Sequence, residues 1–279
     1  MTTTTTTKIT IFDTTLRDGE MALKRKFTIQ QKIQLAKLLE AMKVDVIEVG
    51  YPGAASDDVD KIFMVSKQVK TSIICGLASS RLDEIAAVAV ALKPADRGRI
   101  NIFTPVQSHA QGADAQLFDT IKEAVSLARN YCEDVEWSAF DATRSDPDRV
   151  CKAVETAIKY GATTIAIPDS MGVASPPEFS ALLKTIKNRV PNIDQAVLAV
   201  HCHDDQGFAV ENSLIGLESG VRQIECSING LGARAGNAGL IEVVKAIAQH
   251  LNYHTSINPT MLQTVSDLVH NLKKSNTSK

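Results

Sequence analysis

Thr164–Pro168 reads TIAIP, Pro177–Arg189 reads PEFSALLKTIKNR, and Ala196–His203 reads AVLAVHCH. The first and third stretches are short, β-branched and continuously apolar, as strands buried on both faces are. The stretch between them is amphipathic, with Ser175 ahead of Pro176–Pro177 as a helix start signal. Strand, helix, strand in this order is a parallel βαβ unit. The same alternation runs outward in both directions. Strands are expected at Ile9–Asp13, Asp45–Gly50, Ser72–Gly76, Arg99–Phe103, Asp134–Ser138 and Gln223–Ile228 as well. Helical segments are expected at Thr28–Lys43, Asp114–Cys132 and Asp146–Tyr160. In the first of these, Ile33, Leu35, Ala36, Leu38, Leu39 and Met42 form an apolar stripe, with Thr28 as its N-cap. Eight such units in about 240 residues match a closed (β/α)8 barrel at its usual size. An open doubly wound sheet is the alternative, but no GxGxxG turn follows the first strand.

The barrel is expected over residues 9–250. Leu251–Lys279 reads as a short extension with a helix at Thr260–Leu272 and a polar end. Met1–Lys8, with six consecutive threonines, reads as a disordered tail without the apolar core of a secretory signal. The 279 residues carry 30 Lys plus Arg against 32 Asp plus Glu, a net charge of -2. That balance argues against a dedicated nucleic-acid or membrane-surface binder, both of which need a basic excess. No apolar run approaches the roughly 18 residues of a membrane span. The cysteine count is five, with no CxxC pair, as expected for reduced thiols in the cytoplasm.

In a (β/α)8 barrel the chemistry sits beyond the C-terminal ends of the strands. After strand 1 comes Asp13-Thr14-Thr15-Leu16-Arg17-Asp18-Gly19-Glu20, which brings an arginine, a carboxylate and a glycine turn to the mouth. Strand 7 ends His201-Cys202-His203-Asp204-Asp205. Residues i and i+2 share one face of a strand, so both imidazoles point the same way. His-x-His at that place is a strong metal signal. After strand 8 comes Asn229-Gly230-Leu231-Gly232-Ala233-Arg234-Ala235-Gly236-Asn237, whose glycines allow close backbone approach to a ligand. Strand 8 closes on strand 1 and neighbours strand 7, so the three loops are adjacent. Asp18, His201, His203 and Asn237 are therefore expected to meet and to suit a divalent Mg, Mn, Fe or Zn ion. Arg17 beside them would neutralise a developing alkoxide or enolate.

These motifs resemble the DRE-TIM metallolyases, which include 2-isopropylmalate, homocitrate and citramalate synthases and hydroxymethylglutaryl-CoA lyase. The match covers roughly Ile9 to Val269. DTTLRDGE, DVIEVGYP, ICGLA, GATTIAIPDSMG, HCHDDQGFAVENSL, CSINGLGARAGNAGL and SINPTMLQTVSDLV look most like the first of these synthases. The resemblance implies a divalent metal (Mn, Mg or Zn) on Asp18, His201 and His203, with Asn237 as fourth or near-fourth ligand. It implies Arg17 as the electrophilic arginine, and Ser170 where the synthases have a substrate-contacting threonine. Acyl-CoA and a 2-oxo acid would be the substrates of a Claisen-type condensation. A retro-aldol lyase and a non-catalytic barrel subunit are the alternatives. A homodimer is also expected, with an apolar stripe of Leu262, Val265, Leu268, Val269 and Leu272 needing a partner surface, a second subunit or else the chain's own barrel.

The chain departs from the family pattern around the substrate. Asn101 replaces the histidine of a RIHTF strand end. Phe140 replaces the glutamate of a Ser-x-Glu-Asp pattern, and Ala233 that of GERAGN. Family synthases continue into a subdomain that lends a histidine to the neighbouring subunit, and no segment up to Lys279 matches it. With two carboxylates gone, the pocket is expected to be less negative and partly apolar. Activity on 2-oxoisovalerate is then expected to be weak or absent, with another acid preferred.

Overall fold

The computed structural model describes residues 6–107 and 113–277. Eight strands pair in parallel and close into a barrel in sequence order. They are β1 (Thr10–Asp13), β2 (Val46–Gly50), β3 (Ile73–Ser79), β4 (Gly98–Pro105), β5 (Val135–Phe140), β6 (Thr164–Asp169), β7 (Val197–Cys202) and β8 (Gln223–Cys226). Closure is made by β1 on β8, where Phe12 lies opposite Glu225 and Asp13 opposite Cys226. Around this sheet run α1 (Ile29–Ala41), α2 (Asp58–Ser66), α3 (Leu82–Leu92), α4 (Ala113–Tyr131), α5 (Pro147–Lys159), α6 (Pro176–Arg189), α7 (Ala209–Ile215) and α8 (Leu240–Ala248). The expected barrel is the observed one.

Helix starts follow the local chemistry. Thr28 Oγ1 accepts from Gln31 N while Gln31 Oε1 accepts from Thr28 N, a reciprocal box that satisfies two donors at the start of α1. Ser175 N and Oγ both donate to the Glu178 carboxylate ahead of α6. Asp146 caps α5 by accepting from Asp148 N and Arg149 N.

The main apolar core lies between sheet and helices, with Ile11, Ile47, Ile74, Trp137 and Ile167 all buried against the surrounding shell. The inside of the barrel differs. A small apolar layer of Phe12, Val46 and Cys75 is separate from the main core. Beside it, Arg99 donates from Nη1 to Glu136 and to Gln223 Oε1, both at 2.7 Å, and from Nε to Asp134 at 2.9 Å. Buried polar groups on this scale are tolerated only when paired. Their strands are parallel with odd and even residues on opposite faces, so Glu48, Asn101, Glu136, His201 and Glu225 all turn inward.

Two expectations at the ends are corrected. Of the Thr-rich tail, Met1–Thr5 lies outside the described residues, but Thr7–Lys8 is a short strand paired in parallel with Tyr253–His254. The last helix, α9, spans Leu262–Thr277 and so runs past the expected helix end at Leu272 into the expected polar end. Its stripe is also partnered within the subunit. Leu262, Val265 and Val269 are buried, against α1 and the loop after β8. Leu268 and Leu272 are half-buried, so the subunit itself covers most of the stripe.

Candidate functional site

The C-terminal end of the barrel opens into a cavity of about 320 Å³. Its wall follows the period-two rule of the strands. Asn101 and Phe103 line it from β4, Ser138 and Phe140 from β5, and His201 and His203 from the end of β7. Arg17, Asp18, Ser170, Glu225 and Ala233 line it as well. All the residues expected at the site therefore border this cavity except Asn237, which lies just behind Asp18.

One carboxylate oxygen of Asp18 and one ring nitrogen of each of His201 and His203 lie within 4.8 Å of one another. The two imidazoles face each other, Nε2 to Nε2, at 3.4 Å. His203 Nδ1 sits 3.2 Å from the Gly236 carbonyl and His201 Nδ1 3.0 Å from Glu225 Oε2. A carbonyl only accepts, so His203 Nδ1 carries the proton, and Glu225, when ionised, holds His201 in the same tautomer; each Nε2 then turns a lone pair to the same point. Two lone pairs so close repel unless a cation lies between them. Burial, and the neighbouring imidazole, push His203 down to about 4, and burial lowers His201 too. Both rings are neutral at pH 7, the form that ligates metal. Burial opposes the charge on Asp18, yet the Arg17 guanidinium, the two histidines and the Asn237 amide together outweigh it and hold the carboxyl at about 2.

Asn237 completes the cluster. Its Nδ2 donates to Asp18 Oδ2 at 2.7 Å and to the Leu231 carbonyl at 3.0 Å, which fixes the amide's orientation. Its Oδ1 is buried with no hydrogen-bond partner. An orphaned acceptor beside one carboxylate and two imidazole lone pairs fits a divalent ion of the Mg, Mn, Fe or Zn type. The loop that delivers Asn237 depends on backbone that only glycine adopts easily. Gly236 has φ +106°, and a Cβ there would collide with the Gly230 carbonyl. Gly236→Ala is expected to displace Asn237 and His203's carbonyl partner. Metal affinity should fall by ~10–100-fold, the usual cost of losing an outer partner. Titration of the purified variant with Mn checks this.

Arg17 donates from Nε to Glu48 at 2.6 Å and from Nη1 to Asp18 at 2.9 Å. Despite burial, these two carboxylates keep it firmly charged. Glu48 also accepts from Thr14 Oγ1 at 2.7 Å and from Asn101 Nδ2 at 3.2 Å. Asn101 Oδ1 remains buried and unpartnered. Ser170 Oγ accepts from Asp141 N at 2.8 Å, and its carbonyl accepts from Arg234. Arg234 also forms a fork to Asp205 at 2.9 and 3.0 Å, tying the loops after β6, β7 and β8 together. Phe140 is 42 % exposed, and its ring lies 5.9 Å from that of Phe103.

Sequence reasoning missed Glu48, Glu225 and Arg234. The first two had a visible signal, since each is the one carboxylate inside a buried strand, VIEVG and QIEC. A charge there must have a partner inside the barrel. Arg234 had none, because its partners Asp205 and Ser170 come from distant loops.

A family model described as HMGL-like matches residues 8–269. The chain belongs to the HMGL-like family. Among relatives of this HMGL-like chain, the 2-isopropylmalate synthase of Methylobacterium nodulans is 45% identical over 270 residues, covering 94% of this chain and 52% of that protein. The 2-isopropylmalate synthase of Rhodopseudomonas palustris is 46% identical over 280 residues, covering 96% and 53%. The chain spans about half the length of the curated relatives it matches. Among solved structures, the HMG-CoA lyase from Brucella melitensis superposes with a TM-score of 0.79 at 21% identity, covering 96% of this chain and 99% of that one. An HMG-CoA lyase from Acinetobacter baumannii, solved with coenzyme A and 3-methylmalate, superposes at 0.76 with 19% identity, covering 100% and 97%. At these identities the two structures speak for the shared HMGL-like fold.

Proposed function

We propose that the barrel, residues 9–250, is the catalytic unit of a divalent-metal-dependent acyltransferase. It would condense an acyl-CoA with a 2-oxo acid in the manner of 2-isopropylmalate synthase, with the acid changed. The convergence of Asp18, His201, His203 and the unpartnered Asn237 Oδ1 beside Arg17 carries this reading. The 2-isopropylmalate synthases at 45 and 46% identity support the condensation direction over a lyase. Bound at that cluster, a divalent ion would polarise a chelating 2-oxo acid.

The chain's own residues do the rest. Arg17, held by Glu48 and Asp18, presents a fixed positive charge to oxygen that turns negative as the new bond forms. Its planar fork loses little freedom in doing so. Asn101 and Ser170 offer polar contacts that orient the acid. Glu225 and the Gly236 carbonyl keep the imidazoles in the ligating tautomer. Phe140 and Ala233 contribute no acid or base. The same reading includes a homodimer, tested by light scattering over a range of concentrations, and a cytoplasmic location, which the five unpaired cysteines suit. Among the described residues no helix is long and apolar enough to cross a membrane.

The test is incubation of the purified protein with Mn or Mg, acetyl-CoA and a panel of 2-oxo acids while free thiol is followed. Thiol release that needs both metal and oxo acid is the expected result. Cleavage of hydroxy acids without acyl-CoA consumption would favour the lyase, and no reaction in either assay would leave a barrel without turnover.

A further inference from the structure

The cavity has two unlike sides. On the metal side stand Arg17, Asp18 and the two histidines. Across from them three rings follow one another, Tyr51 edge-on to Phe103 at 5.6 Å and 81°, then Phe103 tilted against Phe140 at 5.9 Å and 55°. Leu77, Met21 and Ala54 also line the cavity. Phe140 sits two residues beyond Ser138 on β5, so the strand's own period turns it to the cavity.

The fixed cations of the cavity are already engaged elsewhere. Arg17 is bound to Glu48 and Asp18, and Arg234 to Asp205 and the Ser170 carbonyl. Among the described residues no cation stacks on these three rings. Lys26 borders the cavity only as an exposed side chain at its rim. A substrate whose side chain ends in a carboxylate would lose its hydration against three rings with no fixed charge to replace it. A methyl group would cover little of the ring surface. A flat apolar group fills the space and meets Phe103 and Phe140 in the tilted or edge-on geometry that aromatic rings prefer.

We infer that the 2-oxo acid taken by this site carries an uncharged aromatic side chain seated on Tyr51, Phe103 and Phe140. This rests on the condensation proposed above for the choice of a 2-oxo acid. Phe140 is then a specificity-determining residue, contacting the substrate's side chain at the position where family synthases carry a carboxylate.

Two measurements on the full chain separate this inference from the reaction itself. The first is direct binding of phenylpyruvate, pyruvate, 2-oxoisovalerate and 2-oxoglutarate to the Mn-loaded protein, by calorimetry without acyl-CoA. Phenylpyruvate should bind at least ~10-fold more tightly than each of the others, the low end of what apolar pocket contacts discriminate. Phe140→Ala should shrink that advantage over pyruvate by ~10-fold or more, and Phe140→Tyr should largely keep it. The second is kcat/KM for the same four acids with acetyl-CoA, where the same order should hold. If phenylpyruvate binds best and no acid releases thiol, the inference stands and the condensation fails. If thiol release is fastest with pyruvate, 2-oxoisovalerate or 2-oxoglutarate, the condensation stands and the inference is overturned. Equal binding of all four acids, or a preference that Phe140→Ala leaves intact, overturns it as well.

Discussion

Replacing both His201 and His203 by alanine is expected to strip the protein of its divalent metal. Loss of a single outer partner of a metal ligand typically costs ~10–100-fold in affinity. Removing two ligands outright should exceed that by a wide margin and leave metal at background after loading with Mn and desalting. Elemental analysis reads the result, and circular dichroism shows whether the barrel is intact. Neither ring contributes much to the apolar core, and each removed imidazole leaves space that opens on the cavity, so the fold should survive. Glu225→Gln is the graded companion. It keeps a carbonyl oxygen for the His201 Nδ1 proton, now 3.0 Å from Glu225 Oε2, but removes the carboxylate's charge. Affinity should fall by ~10–100-fold or less, well short of the double variant. A double variant that retains full metal would mean that the ion binds elsewhere.

The largest effect on stability is expected at Lys32, far from any reacting atom. This lysine on α1 is fully buried, and its Nζ donates to the Leu16 carbonyl at 2.7 Å, the Val49 carbonyl at 2.6 Å and Glu20 Oε2 at 2.9 Å. Burial lowers Lys32 and raises Glu20 from their ordinary values, so each charge depends on the other. Glu20 also accepts from Phe27 N at 2.8 Å. Together they pin the loop that carries Arg17 and Asp18 to the end of β2. Lys32→Met leaves Glu20 buried without its countercharge and two carbonyls without a donor. Breaking a buried pair in this way costs about 3–5 kcal/mol. Urea unfolding should show that loss. Adding Glu20→Gln to Lys32→Met should recover part of it, because the uncompensated charge is then gone. A loss below about 1 kcal/mol for Lys32→Met would show that the pair is not what holds the loop.

The DTTLRDGE run illustrates how far the sequence could be read. Asp18 and Arg17 were assigned to the site because the run follows a strand, and both border the cavity. Glu20 was read as part of the same loop, and its link to Lys32 was not foreseen. Lys32 sits in a helix whose stripe of Ile33, Leu35, Ala36, Leu38, Leu39 and Met42 marks one face as buried. A lysine is ordinarily taken to lie on the solvated side. α9 shows the opposite error. Its apolar stripe was visible, but whether a helix's stripe meets its own subunit or another cannot be read from periodicity.

Phe140 was legible in part. Its place on the wall follows from Ser138 and the two-residue period of β5, a purely local rule. That it meets Phe103, and through Phe103 reaches Tyr51, depends on the pairing of β4 with β5 and on the turn after β2.

The sequence by itself determined the barrel, because eight continuous apolar strands each followed by an amphipathic helix have few other ways to bury their surface. It also determined the His201–His203 pair, since alternation along a strand is local geometry. The tertiary structure alone decided which buried charges face each other. Glu48 with Arg17, Glu225 with His201, Glu20 with Lys32 and Asp205 with Arg234 are pairs between distant segments. Their partners are set by strand register and loop closure, and the energy that holds them depends on a burial that exists only once the chain has folded.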